Sequence, residues 1–458
     1  MKCETTVGSS SEVPLAGHVA GRTWPVYLFG SLGSVLVGYN TGIIAGAILL
    51  IRKDMALTPA LQGLVVGMLL FGAMIGAFGT GRLADRLGPR KMLIFSGLLF
   101  IVTSLGSALA FDPASLIGAR MLAGIAVGAA QVQVPLYVSE MAPKHLRGAL
   151  TSLTHMCTGV GIFSSYLTSY LLAPYGQWRL TLALAAVPAA VLSVGMLSQP
   201  DSPRWLVRQG RRKEALKVLQ RFNVAEQAEM VLDEISAVSA HRRMPLFDIL
   251  RSRSLRAVLF SVLGLAILQQ FMGINTVVYY TPTILRAAGF SQSAALLNGV
   301  GFSMLSIIMT LCSSRVVDRL GRRPLLLIGA AVMGATLLAF GVLFQIGRLS
   351  TFAGAVEAIT VLALFKAAFS FTWGPVVWVM MPELLPLQVR ARGMSAAVFC
   401  FFFANFIVST AFPVLLGMGA LVSFGLFAGF CVLAFLFVTL YLPETAGLSL
   451  EEIEKRSG

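Results

Sequence analysis

Arg82-Leu83-Ala84-Asp85-Arg86-Leu87-Gly88-Pro89-Arg90-Lys91 returns later in the chain as Arg315-Val316-Val317-Asp318-Arg319-Leu320-Gly321-Arg322-Arg323. Two further segments repeat in the same order. Ser139-Glu140-Met141-Ala142-Pro143 with Arg147-Gly148 returns as Pro382-Glu383-Leu384-Leu385-Pro386 with Arg392-Gly393, and Pro200-Asp201-Ser202-Pro203 returns as Pro443-Glu444-Thr445. Each charged cluster lies between long apolar runs. Two like halves of membrane spans, with charge confined to the joints, are the form expected of a secondary transporter.

Composition supports that reading. Hydrophobic residues make up 57% of the chain and charged residues 12%, about half the charge of a soluble domain. Runs long enough to cross a bilayer recur about twelve times: near 24–50, 60–81, 92–110, 115–138, 148–172, 179–198, 256–282, 292–314, 325–346, 355–380, 393–415 and 420–441. The expected class is an all-α membrane protein, with residues 1–198 and 256–441 as six-helix bundles. A polar linker at 199–255 carries short amphipathic helices, and a tail follows at 442–458.

The net charge of +15 is not read as a nucleic-acid surface. The linker holds Arg204, Arg208, Arg211, Arg212, Lys213, Lys217 and Arg221, whereas the joints near 111–114, 173–178 and 416–419 hold no Lys or Arg. This asymmetry places both termini in the cytoplasm and gives membrane lipid as a partner. The first 23 residues lack the apolar core of a cleaved leader. The five cysteines show no metal-ligand spacing, so neither metal nor cofactor is expected. Gly63-Xaa3-Gly67, Gly72-Xaa3-Gly76, Gly124-Xaa3-Gly128 and Ala330-Xaa3-Gly334 read as close helix packing.

Polar side chains inside the spans carry the chemistry. Gln269, Gln270 and Asn275 lie within two turns of span 7, with Gly273 between them able to break the helix. Amides both donate and accept, which suits a ring of hydroxyls. Hydrogen bonding between helices would satisfy them equally well. Trp378 follows Gly374-Pro375 in span 10. Its indole suits the apolar face of a sugar or, alternatively, a membrane interface.

Taken together, these motifs resemble the sugar porter family of the major facilitator superfamily. The resemblance runs through Gly81-Arg82-Xaa2-Asp85-Arg86-Xaa-Gly88-Xaa-Arg90, Arg120-Xaa3-Gly124, Pro135-Xaa2-Val138-Ser139-Glu140, and Gln269-Gln270-Xaa2-Gly273-Ile274-Asn275-Xaa3-Tyr279-Tyr280. Gly374-Pro375-Xaa2-Trp378 and Pro443-Glu444-Thr445 complete it. It implies two bundles around a central cavity, with His155, Gln269, Gln270, Asn275, Trp378 and Asn405 as substrate contacts and Tyr279 and Tyr280 at an outer gate. Asp85, Arg86, Glu140, Arg147, Asp318, Arg319, Glu383 and Arg392 would form cytoplasmic gating pairs across the bundles, joined by Arg120. Control of topology alone is the plainer role for these charges.

The chain departs from the family at several points. Proton symporters of the family have an aspartate where Gly38-Tyr39-Asn40-Thr41-Gly42 places Asn40, and an amide does not titrate. Asn40 therefore favours a uniporter of a hexose or pentose. His155 replaces the family's span-5 glutamine, and Lys366 lies deep in span 10. Either could carry protons in a symporter of a sugar, polyol or sugar acid, and Lys366 could instead snorkel to the surface. Ser370 and Ser306 stand where glucose carriers have a glutamate and an asparagine.

A sugar sensor is disfavoured by the short tail, and a drug antiporter by the absence of a Gly-Pro-rich span 5. An enzyme is disfavoured by the lack of any nucleophile–base set. A monomer in a bacterial cytoplasmic membrane is expected.

Overall fold

The computed structural model describes residues 17–142, 147–221, 225–239, 253–348, 351–386 and 389–444. Twelve helices are long and apolar enough to cross a membrane. In order they are Trp24–Asp54, Pro59–Gly81, Pro89–Ala108, Pro113–Met141, Leu153–Tyr175, Trp178–Leu197, Leu255–Ala287, Gln292–Val317, Arg322–Gln345, Phe352–Leu384, Arg392–Met418 and Ala420–Tyr441, here spans 1 to 12. Helices Pro203–Arg208, Arg212–Leu219 and Ala225–Ser239 lie between the halves. No strand occurs among the described residues.

The repeated motifs are joints, and their chemistry explains their repetition. Gly88 and Gly321 turn the chain from one span into the next with φ of +89° and +85°, a region that favours glycine. Arg90 donates from Nε to Met196 O (3.0 Å) and from Nη2 to Leu197 O (2.5 Å). Arg323 does the same to Val438 O and Thr439 O, at 3.5 and 2.8 Å. Thus in each half one arginine ties the start of the third span to the last carbonyls of the sixth. Glu444 accepts from the Arg322 and Arg323 amides at 2.9 and 3.0 Å, a carboxylate on the free N–H groups of a helix start. Asp201, its counterpart, lies 3.9 Å from Arg90.

Helix starts on the opposite face are capped by side chains. Thr58, Asp112, Ser291 and Thr351 accept from backbone amides three residues on. Asp112 and Ser115 complete a reciprocal capping box.

Small residues set the closest crossings. A Cβ on Gly72, Gly76, Gly124 or Gly128 would fall 1.9–2.2 Å from a backbone carbonyl oxygen of span 4 or span 2. These pairs pack one half. Gly63 and Gly67 differ, because they face Thr410 of span 11 and so join the two halves. The Tyr166 hydroxyl donates to Val278 O, and Leu296 of span 8 reaches Gly46 of span 1. These three contacts lie toward the face opposite the joints, and Phe78 and Phe399 of spans 2 and 11 also meet at 6.5 Å nearer the joints.

Candidate functional site

Two broken spans meet in the middle of the membrane. Span 7 stops at Phe271 and resumes at Ile274, with Gly273 at φ +82°. A Cβ there would lie 2.7 Å from Phe427. Span 10 breaks at Thr372, φ −117° and ψ −88°, between Phe371 and Trp373. The Trp373 indole is buried and donates to Leu326 O at 2.8 Å.

A directional chain of amides links the breaks. Asn275 donates to Gln270 Oε1 (2.6 Å), Gln270 to Gln269 Oε1 (3.3 Å), and Gln269 to Trp373 O (2.8 Å). Each amide carries a second N–H, and Asn275 Oδ1 ends the chain as an acceptor. Open donors and acceptors are thus lined up along the break. Gln269 and Gln270 are buried and Asn275 is half-buried.

Aromatic groups stand nearby. The His155 ring, in span 5, is 6.2 Å from Trp378. Phe401 packs edge-on against Trp378 at 5.3 Å. Neither Trp373 nor Phe401 was singled out by the sequence. Trp373 sits in an apolar run, and Phe401 is one of several consecutive phenylalanines.

Deeper toward the opposite face, Asn405 accepts from Ser409 Oγ at 3.0 Å, and the Tyr280 hydroxyl donates to Ser409 O at 3.1 Å. Tyr279 approaches the Asn405 amide and lies within electrostatic reach of Arg120. Asn40 is buried and donates to Leu36 O of its own helix at 3.2 Å.

The joint residues are arranged differently from the expectation. Glu140 takes Arg208 at 3.3 Å and the Ser202 hydroxyl at 2.5 Å, and Arg208 also reaches Asp85 at 3.4 Å. Glu383 pairs with Arg322 at 3.2 Å. Among the described side chains, these pairs stay within one half or link it to Pro203–Arg208. Arg86 and Arg319 are exposed and Arg392 is half-buried. The side chains of Arg147 and Asp318 lie outside the described residues.

Arg120 also departs from its expected place with the joint acids. It lies seven residues into span 4, about 10 Å from its start and about 30 Å from Glu140 at the far end. It is 2% exposed, and its Nε has no hydrogen-bond partner among the described residues.

A twelve-span protein with two broken helices around a polar, aromatic-lined centre is a membrane carrier. Residues 26–456 match the model of the family described as sugar (and other) transporter. The chain belongs to the sugar porter family of the major facilitator superfamily. It is 41% identical to the D-xylose transporter of Levilactobacillus brevis, with 94% of both chains covered. It is 38% identical to the glucose transporter GlcP of Staphylococcus epidermidis, covering 94% of this chain and 96% of that one. The inward-open xylose transporter XylE of E. coli superposes with a TM-score of 0.82 at 28% identity, covering 95% of this chain and 99% of that one.

Proposed function

We propose that this protein carries a monosaccharide, a hexose or a pentose, across the membrane by alternating access, as a facilitative uniporter. The amide chain from Asn275 to Trp373 is the observation that carries this reading. It offers paired donors and acceptors without charge, at the junction of two breaks, beside Trp378 and His155. A sugar hydroxyl needs both functions at once, and an indole covers the apolar ring face. Similarity to carriers named for xylose and glucose supports the substrate class.

The buried acids and Asn40 support uniport. Among the described residues Glu140 is the one acid in the buried set, and it sits at the joint end with Arg208. Asn40, held to its own helix, offers no proton. The basic joints and both termini face the cytoplasm of a bacterial cell by the positive-inside rule. Gly63, Gly67, Tyr166 and Leu296 closing the opposite face, and the likeness to inward-open XylE, support an inward-facing state.

Counterflow in proteoliposomes tests the reading. Vesicles preloaded with unlabelled glucose or xylose should draw in tracer sugar transiently above its outside level, with no ion gradient imposed. Absence of counterflow for hexoses, pentoses and inositol alike would overturn it.

A further inference from the structure

Lys366 lies in span 10, fourteen residues after Phe352, and is 8% exposed. It does not snorkel to the membrane surface. Among the described residues it has neither a hydrogen-bond nor an ion-pair partner. The neighbours supply no counter-charge at its level. Span 10 packs on spans 8 and 9 and on its own second segment. The charged groups of span 8 are Arg315, Asp318 and Arg319 at the joint end, those of span 9 are Arg322 and Arg323 at its start, and the second segment has only Glu383. In its own segment, Glu357 is about 13 Å nearer the opposite face and pairs with Arg348 at 2.9 Å.

The groups at its level are hydroxyls. Thr310 Oγ1 reaches Ser370 O at 3.4 Å. Spans 8 and 10 run the same way, so one turn back from that contact places Ser306 beside Lys366. Ser303, Ser306 and Thr310 donate to carbonyls of their own helix at 2.8–2.9 Å. Their protons are used, and only lone pairs remain. They can solvate an ammonium but cannot neutralise it, and a buried charge without a partner is costly.

Depth relates this cation to the amide chain. Lys366 is seven residues before Trp373, about 10 Å along the helix. Gln269 touches Trp373 O, and Asn275 lies six residues beyond Gln269, about 9 Å, on a span running the other way. By residue count, Lys366 and Asn275 thus both lie about 9–10 Å from the Gln269–Trp373 contact, on its side away from the joints.

We propose that Lys366 supplies the counter-charge for a carboxylate on the substrate, so that the carrier takes sugar acids, uronates and aldonates, as well as neutral sugars. The inference rests on the sugar-carrier reading above: the amides hold the hydroxyls and the ammonium holds the acid. The test is competition in proteoliposomes, with labelled D-glucose displaced by unlabelled glucuronate, galacturonate and gluconate. At least one acid should compete with the wild type as well as unlabelled glucose does. In K366M the ratio of acid to glucose affinity should fall roughly tenfold or more, the scale of a lost charge-assisted hydrogen bond, and K366R should restore it.

Wild-type glucose uptake indifferent to all three acids would overturn the inference and leave the carrier reading standing. Uptake of neither neutral nor acidic sugar would overturn both. An unchanged ratio in K366M would overturn the role of Lys366. If K366M fails to insert, competition with the wild type and K366R decides.

Discussion

Gly63 and Gly67 sit where the halves touch, and enlarging them should tilt the carrier from one state to the other. A Cβ on Gly63 would lie 2.1 Å from Thr410 O, and one on Gly67 would lie 1.9 Å from Thr410 Oγ1. Ordinary contact begins at 3.4 Å, so spans 2 and 11 must separate by about 1.3 Å to admit the Cβ alone of Gly63→Val, before its two methyl groups are placed. Overpacking of this kind costs about 1–3 kcal/mol. At about 2 kcal/mol and 1.4 kcal/mol per tenfold, the balance between states shifts about 30-fold. The contact lies toward the face opposite the joints, so relieving it should open that face.

The assay uses His155→Cys with Cys3, Cys157, Cys312, Cys400 and Cys431 replaced by serine. An impermeant maleimide is added from the face opposite the joints. Gly63→Val should raise the labelling rate by on the order of tenfold and slow transport. Unchanged labelling in a folded variant would refute the reasoning.

Gly124→Val, packed only within one half, should cost about 1–3 kcal/mol and lower the melting temperature in detergent, without changing the sidedness of labelling. Gln269→Ala should raise KM for the transported sugar about tenfold or more, read from initial uptake rates, because Trp373 O and Gln270 both lose their partner. Asp112 is held below the usual carboxylate range by its hydrogen bonds from the Ser115 hydroxyl and amide. Its contribution is therefore present above the unfolded carboxyl range and lost as pH falls through the lowered value. Thermal melts from pH 7 to pH 3 should show Asp112→Ala less stable at neutral pH and converging with the wild type in acid.

Much of the fold is written in local chemistry. Span lengths follow from apolar runs, and Gly88 and Gly321 turn where a glycine is needed. The break in span 7 is marked by Gly273. The break in span 10 is marked by Gly374-Pro375, because Pro375 has no N–H to give Phe371 O. What the local sequence does not show is how the bend is held: Leu326 O and Gln269 meet Trp373 from 47 and 104 residues away.

Charge positions were harder to read for the same reason. Arg120, expected to join the joint acids, lies about 30 Å from Glu140 along their shared helix. Asp85 and Glu140 both reach Arg208 of the adjoining short helix, and Glu383 pairs with Arg322, contacts that depend on how the chain folds back and not on sequence spacing. Lys366 stood between snorkelling and burial in the sequence. Only the packing of spans 8 and 9 decides for burial.

Gradient-driven uptake tests uniport through the amide site most directly. Proteoliposomes would receive labelled glucose or xylose with and without an inward proton gradient. The account predicts that internal sugar rises to the outside concentration and stops there, gradient or not. Accumulation above that level, collapsed by a protonophore, would contradict it and give His155 or Lys366 the proton-carrying part that Asn40 lacks.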